Sequence, residues 1–275
     1  MKEAGPISPA CPRSLVPLRK GGSVTPLFCI HGLGGHVAVF LPLAQTLTAG
    51  RPVHGLLGQG LDVGQEPQDS IAAMAEFYLS EIRAVQPRGP YLLCGWSLGG
   101  LIALEAAHQL QAVGETTALV AMFDTYLSLA DLQTLAADDP SAMRWVTRYL
   151  KLPAALLSKL PLDRQWDRIA EHASRTEGVG VAEIRRLATV CQAHLAAIKR
   201  HQPQPYSGPA VLFQADPGRA GLNRQWTSLC LRLIVEPVPG DHYSMLRKPN
   251  VAVLAERLEH YLREDQAGTG RTGSP

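Results

Sequence analysis

The run Tyr91-Leu92-Leu93-Cys94-Gly95-Trp96-Ser97-Leu98-Gly99-Gly100-Leu101 sets a serine between two glycines in the pattern G-x-S-x-G. A serine hydroxyl is a poor nucleophile near neutral pH. It attacks an acyl carbonyl once a base takes its proton and once donors await the charge that builds on the carbonyl oxygen. The chemistry in view is therefore acyl transfer through an acyl-serine. Three fixed residues match by chance in many proteins, and the context gives this match its weight. A buried strand, Tyr91–Cys94, leads in, and a helix rich in Ala and Leu, Leu98–Val113, leads out. In such a turn, side chains at the glycine positions would clash with neighbouring backbone. The turn holds Ser97 in a strained conformation above the sheet, over a helix start that supplies backbone N–H groups and partial positive charge.

Nine histidines compete for the role of base. His242 stands out in Pro239-Gly240-Asp241-His242-Tyr243-Ser244-Met245, after the last predicted strand and before the last helix. His31 comes before the serine and reads as a loop-shaping residue. His108 and His260 fall on helices, and His172, His194 and His201 fall in or beside an inserted region. The base needs an acid to fix its tautomer and stabilise the imidazolium. Asp124 and Asp216 each end a predicted strand and each preserve the order Ser, Asp, His; composition does not choose between them. Asp241 reads as a stabiliser of its own loop. The oxyanion donors are expected to be backbone N–H groups, of Leu98 directly after the serine and of Leu33 in the loop His31-Gly32-Leu33-Gly34-Gly35. That loop does not fit G-x-G-x-x-G, and no acidic ribose ligand follows a second strand, so dinucleotide binding is set aside.

The elements that must position these groups follow from the apolar pattern. Leu27–Ile30, a weaker run over Arg51–Leu57, Tyr91–Cys94, Ala118–Phe123, Pro209–Gln214 and Leu231–Val235 read as strands. Asp69-Ser70 reads as the cap of a helix whose apolar positions are Ile71, Met74, Ala75, Tyr78, Ile82 and Val85. Strand, helix and strand in alternation predict right-handed crossovers and a mostly parallel central sheet. From about 126 to 205 no convincing strand occurs. That stretch exceeds an ordinary loop and reads as an inserted helical lid. Residues 1–22 read as a flexible lead-in, 23–262 as the folded domain, and 263–275 as a disordered Gly-rich tail. Asn250 reads as the cap of a closing helix with Val251, Leu254, Leu258 and Tyr261 or Leu262 facing inward.

The chain has 275 residues, 46% hydrophobic and 18% charged, enough for a sizeable core. A net charge of +2 without a dense basic stripe gives no nucleic-acid footprint. No run approaches the roughly 20 apolar residues of a membrane span, and the N-terminus is no secretory signal. Five cysteines occur without a CxxC pair or zinc-ligand spacing. Cys29, Cys94 and Cys230 read as small core residues in a reducing compartment, and a cytoplasmic location is expected.

In Pro26–Gly35, Ile82–Tyr91, Gly95-Trp96-Ser97-Leu98-Gly99-Gly100, Phe123-Asp124 and Gly240-Asp241-His242 the sequence resembles the type I thioesterase domains of nonribosomal peptide synthetases and polyketide synthases, of the α/β-hydrolase superfamily. The likeness runs from about Leu15 to Leu262 and is weakest across the lid. Trp96 favours the chain-terminating type over stand-alone editing thioesterases, which more often read G-H-S-x-G. The resemblance implies an acid after the sixth strand, hence Asp124 over Asp216. It implies a lid that shapes an acyl channel. It also implies a substrate carried on the phosphopantetheine arm of an acyl or peptidyl carrier protein, with no cofactor or metal of its own. The lead-in from Met1 holds no carrier domain, which reads as an excised domain or a free-standing relative. The expected reaction is release of an acyl, peptidyl or polyketide chain, by hydrolysis or macrocyclisation, with Ser97, Asp124 and His242 as the triad. The alternatives are an editing thioesterase or carboxylesterase on the same fold and, from another class, a non-catalytic binding module.

Overall fold

Strands buried on both faces must be apolar along their whole length, and the centre of the sheet meets that requirement. In the computed structural model, β2 (Leu27–Ile30) and β4 (Tyr91–Trp96) are buried at every position. The structure describes residues 14–47, 50–127, 168–169, 171–175, 180–215 and 223–269. Seven strands form one sheet in the order β1-β3-β2-β4-β5-β6-β7, with β1 at Leu15–Arg19, β3 at Val53–Leu56, β5 at Thr117–Phe123, β6 at Tyr206–Gln214 and β7 at Cys230–Pro237. All neighbouring pairs are parallel except β1 with β3. The expected α/β-hydrolase architecture, a mostly parallel sheet between helices, is the one observed.

Alternation along the strands divides the core in two. Phe28, Ile30, Leu93, Val120 and Met122 face one layer with α2 (Ile71–Val85) and α3 (Leu98–Ala112). Leu27, Cys29, Leu92, Cys94, Ala121 and Phe123 face the other, with α1 (Leu41–Thr46) and α6 (Asn250–Thr269). Two more helices flank β6: α4 (Val181–Arg200) precedes it and α5 (Asn223–Leu229) follows. Ser70 caps α2 by accepting from Ala73 N. Cys29 and Cys94 are register partners on adjacent strands with their sulfurs 3.2 Å apart, and Cys29, Cys94, Cys191 and Cys230 are buried free thiols. Among the described residues no helix is long and apolar enough to cross a membrane.

Several expectations need correction. The lead-in assigned to residues 1–22 contains β1, which pairs antiparallel with β3 and slips register between Pro17 and Arg19. Pro17 hides the strand from a pattern reading, yet an edge strand accommodates a residue without an N–H. The tail assigned to 263–275 begins inside α6, which runs on to Thr269 because Glu264, Gln266 and Ala267 are good helix formers and no breaker comes before Gly268. Val85 is 44% exposed, and Leu79 takes the buried place on α2. β6 starts at Tyr206, ahead of Pro209, with a register shift between them. Most of the expected lid over 126–205 lies outside the described residues, as do Cys11, Asp216 and residues 270–275.

Candidate active site

The site is assembled at the carboxyl edge of the sheet from adjacent strand ends. Trp96, at the end of β4, is the register partner of Phe123, at the end of β5, and Phe123 is the partner of Phe213 on β6. The next residue along each strand keeps the ladder going: Ser97 N donates to Phe123 O at 2.9 Å, and Asp124 N donates to Phe213 O at 2.8 Å. Ser97 has φ 57° and Asp124 has φ 46°, the only non-glycine residues with positive φ among those described. Such backbone costs about 1–3 kcal/mol per residue and persists only where the surroundings enforce it.

The enforcement at Ser97 is visible in the glycines. A Cβ on Gly95 would lie 2.1 Å from the Gly99 carbonyl, and one on Gly99 would lie 2.2 Å from Ile30 O. The strand-to-helix turn is thus closed against itself and against the end of β2. Ser97 opens α3, whose first N–H groups have no intrahelical acceptor. Among the described residues, no backbone acceptor takes the N–H of Leu33 or Leu98.

His242 lies after β7, on a loop tied by Asp241. The Asp241 carboxylate accepts from Tyr243 N, Ser244 N and Ser244 Oγ at 2.8–2.9 Å, the loop-stabilising role expected of it. The ring Nδ1 of His242 is 2.7 Å from Asp124 Oδ2. A carboxylate can only accept, so Nδ1 carries a proton, and in the neutral ring Nε2 is then the acceptor. Asp124 and His242 are 4% and 6% exposed, and Ser97 is 6% exposed. Burial pushes the Asp124 carboxyl up, but the His242 ring, the Tyr126 hydroxyl and the Ala215 N–H outweigh it and hold the acid below the usual aspartate range. Asp124 follows the fifth strand of this sheet, not the sixth. Ser97 Oγ makes no hydrogen bond among the described residues, so the imidazole–carboxylate link is closed and the serine–imidazole link is open.

Two partners escape a reading of the sequence. The Tyr126 hydroxyl donates to Asp124 Oδ2 at 2.8 Å, and its ring lies 5.6 Å from that of His242. The Trp96 indole N–H donates to His242 O at 2.8 Å, with ring centroids 5.0 Å apart. Trp96 therefore ties the turn that carries Ser97 directly to the loop that carries His242. A tyrosine two residues beyond a strand-end acid is a weak local signal; a contact across 146 residues leaves none.

His31 sits deep in its loop. Its Nδ1 is 2.7 Å from Gly32 O and its Nε2 is 2.6 Å from Tyr78 Oη, the loop-shaping part expected of it. A Cβ on Gly32 would lie 2.7 Å from Cε3 of Trp96, so the loop that carries Leu33 rests on the residue before Ser97.

With this geometry in hand, comparison with known proteins is informative. The family model for the thioesterase domain matches residues 25–159, a span that holds Ser97 and Asp124 and stops short of His242. Over 206 residues the chain is 31% identical to a dimodular nonribosomal peptide synthase of Bacillus subtilis (strain 168), covering 73% of this chain and 8% of that protein. The fold matches a holo four-domain nonribosomal peptide synthetase bound to AMP and glycine with a TM-score of 0.80 and 26% identity, over 90% of this chain and 20% of that one. It also matches the NocB thioesterase domain of the nocardicin cluster with a TM-score of 0.69 and 22% identity, over 90% of this chain and 98% of that domain. The chain thus spans a small part of the synthases it matches and nearly the whole of a single thioesterase domain.

Proposed function

Because the chain belongs to the type I thioesterase domains of nonribosomal peptide and polyketide synthetases, we propose that it releases an acyl, peptidyl or polyketide chain from the phosphopantetheine thioester of a carrier protein, using Ser97 as nucleophile. His242 Nε2 takes the proton of Ser97 Oγ as the oxygen adds to the thioester carbonyl carbon. Asp124 holds the ring in the tautomer that leaves Nε2 free and stabilises the imidazolium. The N–H groups of Leu33 and Leu98 receive the tetrahedral oxyanion. Collapse breaks the C–S bond, and the departing pantetheine sulfur takes the proton back from His242, leaving acyl-Ser97. His242 then takes a proton from water, or from a hydroxyl or amine of the chain itself, as that group adds to the acyl carbon. Collapse breaks the bond to Ser97 Oγ, which takes the proton back from His242, and an acid, a macrolactone or a macrolactam leaves. The open serine–imidazole link closes when the acyl substrate seats beside the two residues, as such contacts tighten in the reacting complex.

The observation that supports this reading most is the 2.7 Å contact between His242 Nδ1 and Asp124 Oδ2, made at the same sheet edge as a serine with φ 57°. We also read residues 126–205 as the lid over the acyl channel, and the buried free thiols as a mark of the reducing cytoplasm. The decisive experiment pairs labelling by a fluorophosphonate with turnover of a pantetheine thioester and of a free ester. Wild type is expected to be labelled and to prefer the thioester. Ser97→Ala should lose the label and about six orders of magnitude in rate. Undiminished turnover in Ser97→Ala would sink the nucleophile, and equal or better use of free esters would replace the carrier-bound substrate with a simple ester.

A further inference from the structure

We propose that His194, a residue of α4, is a positioning residue for the oxyanion loop: together with His31 it clamps the two consecutive peptide planes on either side of Leu33 and so aims the Leu33 N–H at the reacting carbonyl. The inference rests on the acyl-transfer reading of Ser97 given above.

The peptide plane that carries the Leu33 N–H also carries the Gly32 carbonyl. A trans peptide is planar and holds its N–H and C=O on opposite sides, so fixing one end aims the other. Gly32 O accepts from His31 Nδ1 at 2.7 Å and from Gly35 N at 3.0 Å. The following plane carries Leu33 O, which is 2.6 Å from Nδ1 of His194, 161 residues away along the chain. Carbonyls only accept, so each imidazole presents its Nδ1–H to the loop. Both planes that meet at Leu33 are thereby held, one by each histidine. Donation to an amide oxygen also polarises the amide and strengthens its own N–H as a donor.

The two rings work as one stacked unit. Their centroids are 5.0 Å apart with an interplanar angle of 14°, and His31 and His194 are 0% and 1% exposed. Tyr78 Oη closes the far side of His31 at 2.6 Å from Nε2. Burial, the neighbouring His194 and, less strongly, His36 bring His31 down to about 3, against the raising effect of its bond to Gly32. Burial brings His194 down to about 4 despite its bond to Leu33. Both rings therefore stay neutral in the working range, with one N–H each, and that N–H is spent on the loop. Gly58 closes the other wall: its N–H donates to Gly35 O at 2.8 Å, and a Cβ there would lie 2.8 Å from Gly35 Cα and 3.3 Å from Cε1 of His194. Helix α4 is itself held to the segment after β3 by Arg186 Nε on Leu61 O at 3.3 Å and Arg200 on Asp69 O at 2.7 Å. The clamp thus has a fixed mount.

The test uses the whole chain and a synthetic pantetheine thioester. His194→Phe keeps a flat ring and loses the donor. It should lower kcat by about 10- to 100-fold, the cost of misplacing one oxyanion donor by about an ångström, while KM stays within about twofold, and fluorophosphonate labelling should slow in parallel. His194→Asn sets an amide N–H₂ near the place of Nδ1 and should recover most of kcat. His194→Gln sets it near the place of Nε2 and should stay about tenfold below Asn. If Phe does not fold, the Asn–Gln contrast carries the same information. Equal kcat in Asn and Gln, or losses that track melting temperature and not the donor position, would overturn the clamp and leave only a packing role. Retained turnover and labelling in Ser97→Ala would instead overturn the acyl-transfer reading, whatever the His194 variants do.

Discussion

Two loops at the same edge of the sheet each carry a histidine, and they spend it differently. His31 has both ring nitrogens committed, to Gly32 O and Tyr78 Oη, and is brought down to about 3. His242 has one nitrogen committed, to a carboxylate, and keeps the other. A ring whose nitrogens both serve the fold has no lone pair for a substrate proton. A ring held by one carboxylate is oriented and still able to accept. Position along the strand edge thus does not separate the proposed base from the prop; the count of ring nitrogens already in use does.

The contrast breaks most sharply by deletion. His242→Ala should reduce thioester turnover by about a millionfold, whereas His31→Phe, which displaces the loop without removing a base, should reduce it by about a hundredfold while lowering stability by about 1 kcal/mol through the lost hydrogen bonds of the ring, since the Tyr78 hydroxyl keeps Leu57 O as an acceptor. Single-turnover rates beside urea unfolding of both variants check this, and a reversed order would undo the assignment. Asp124→Asn keeps the shape and removes the charge, so turnover should drop by about four orders of magnitude with the melting temperature little changed.

The next effect is on stability. Protonated His31 and His194 are favoured in the unfolded chain, at an ordinary value near 6.5, and disfavoured in the fold, where they stand at about 3 and about 4. Below pH 6.5 the unfolded chain therefore binds more protons, and the contribution of the neutral rings, complete above that pH, is lost as pH falls. For His194 alone the loss from pH 7 to pH 4 is about 3 kcal/mol. Urea midpoints at pH 7, 5.5 and 4 should fall accordingly, and His194→Phe should flatten the slope. The smallest effect belongs to Trp96→Phe, which removes the indole donor to His242 O. It should cost about tenfold in kcat with KM unchanged, the worth of one hydrogen bond; an equal change in KM would assign the indole to substrate binding instead.

The sequence is most legible where function and fold depend on local pattern. The apolar run Tyr91–Cys94, the turn glycines and the helix behind them announce the bend at Ser97, and Asp241 announces its own turn. The edge strand Leu15–Arg19 is hidden by Pro17, because only its place at the edge makes a proline acceptable. The partners Tyr126, Trp96 and His194 are hidden for a different reason. Each acts through a hydrogen bond set by tertiary approach, and nothing in the spacing of His194 along α4 separates it from an ordinary buried face residue.

The tether from Trp96 to His242 crosses 146 residues, and the link from Asp124 to the same ring crosses 118. During synthesis the ribosome delivers the serine first and the imidazole last. Every earlier nascent chain has the serine without the imidazole. On the proposed reading, acyl transfer is therefore a late event in the making of this molecule, possible only after the sheet has taken up its seventh strand and the loop beyond it has come to rest against the indole.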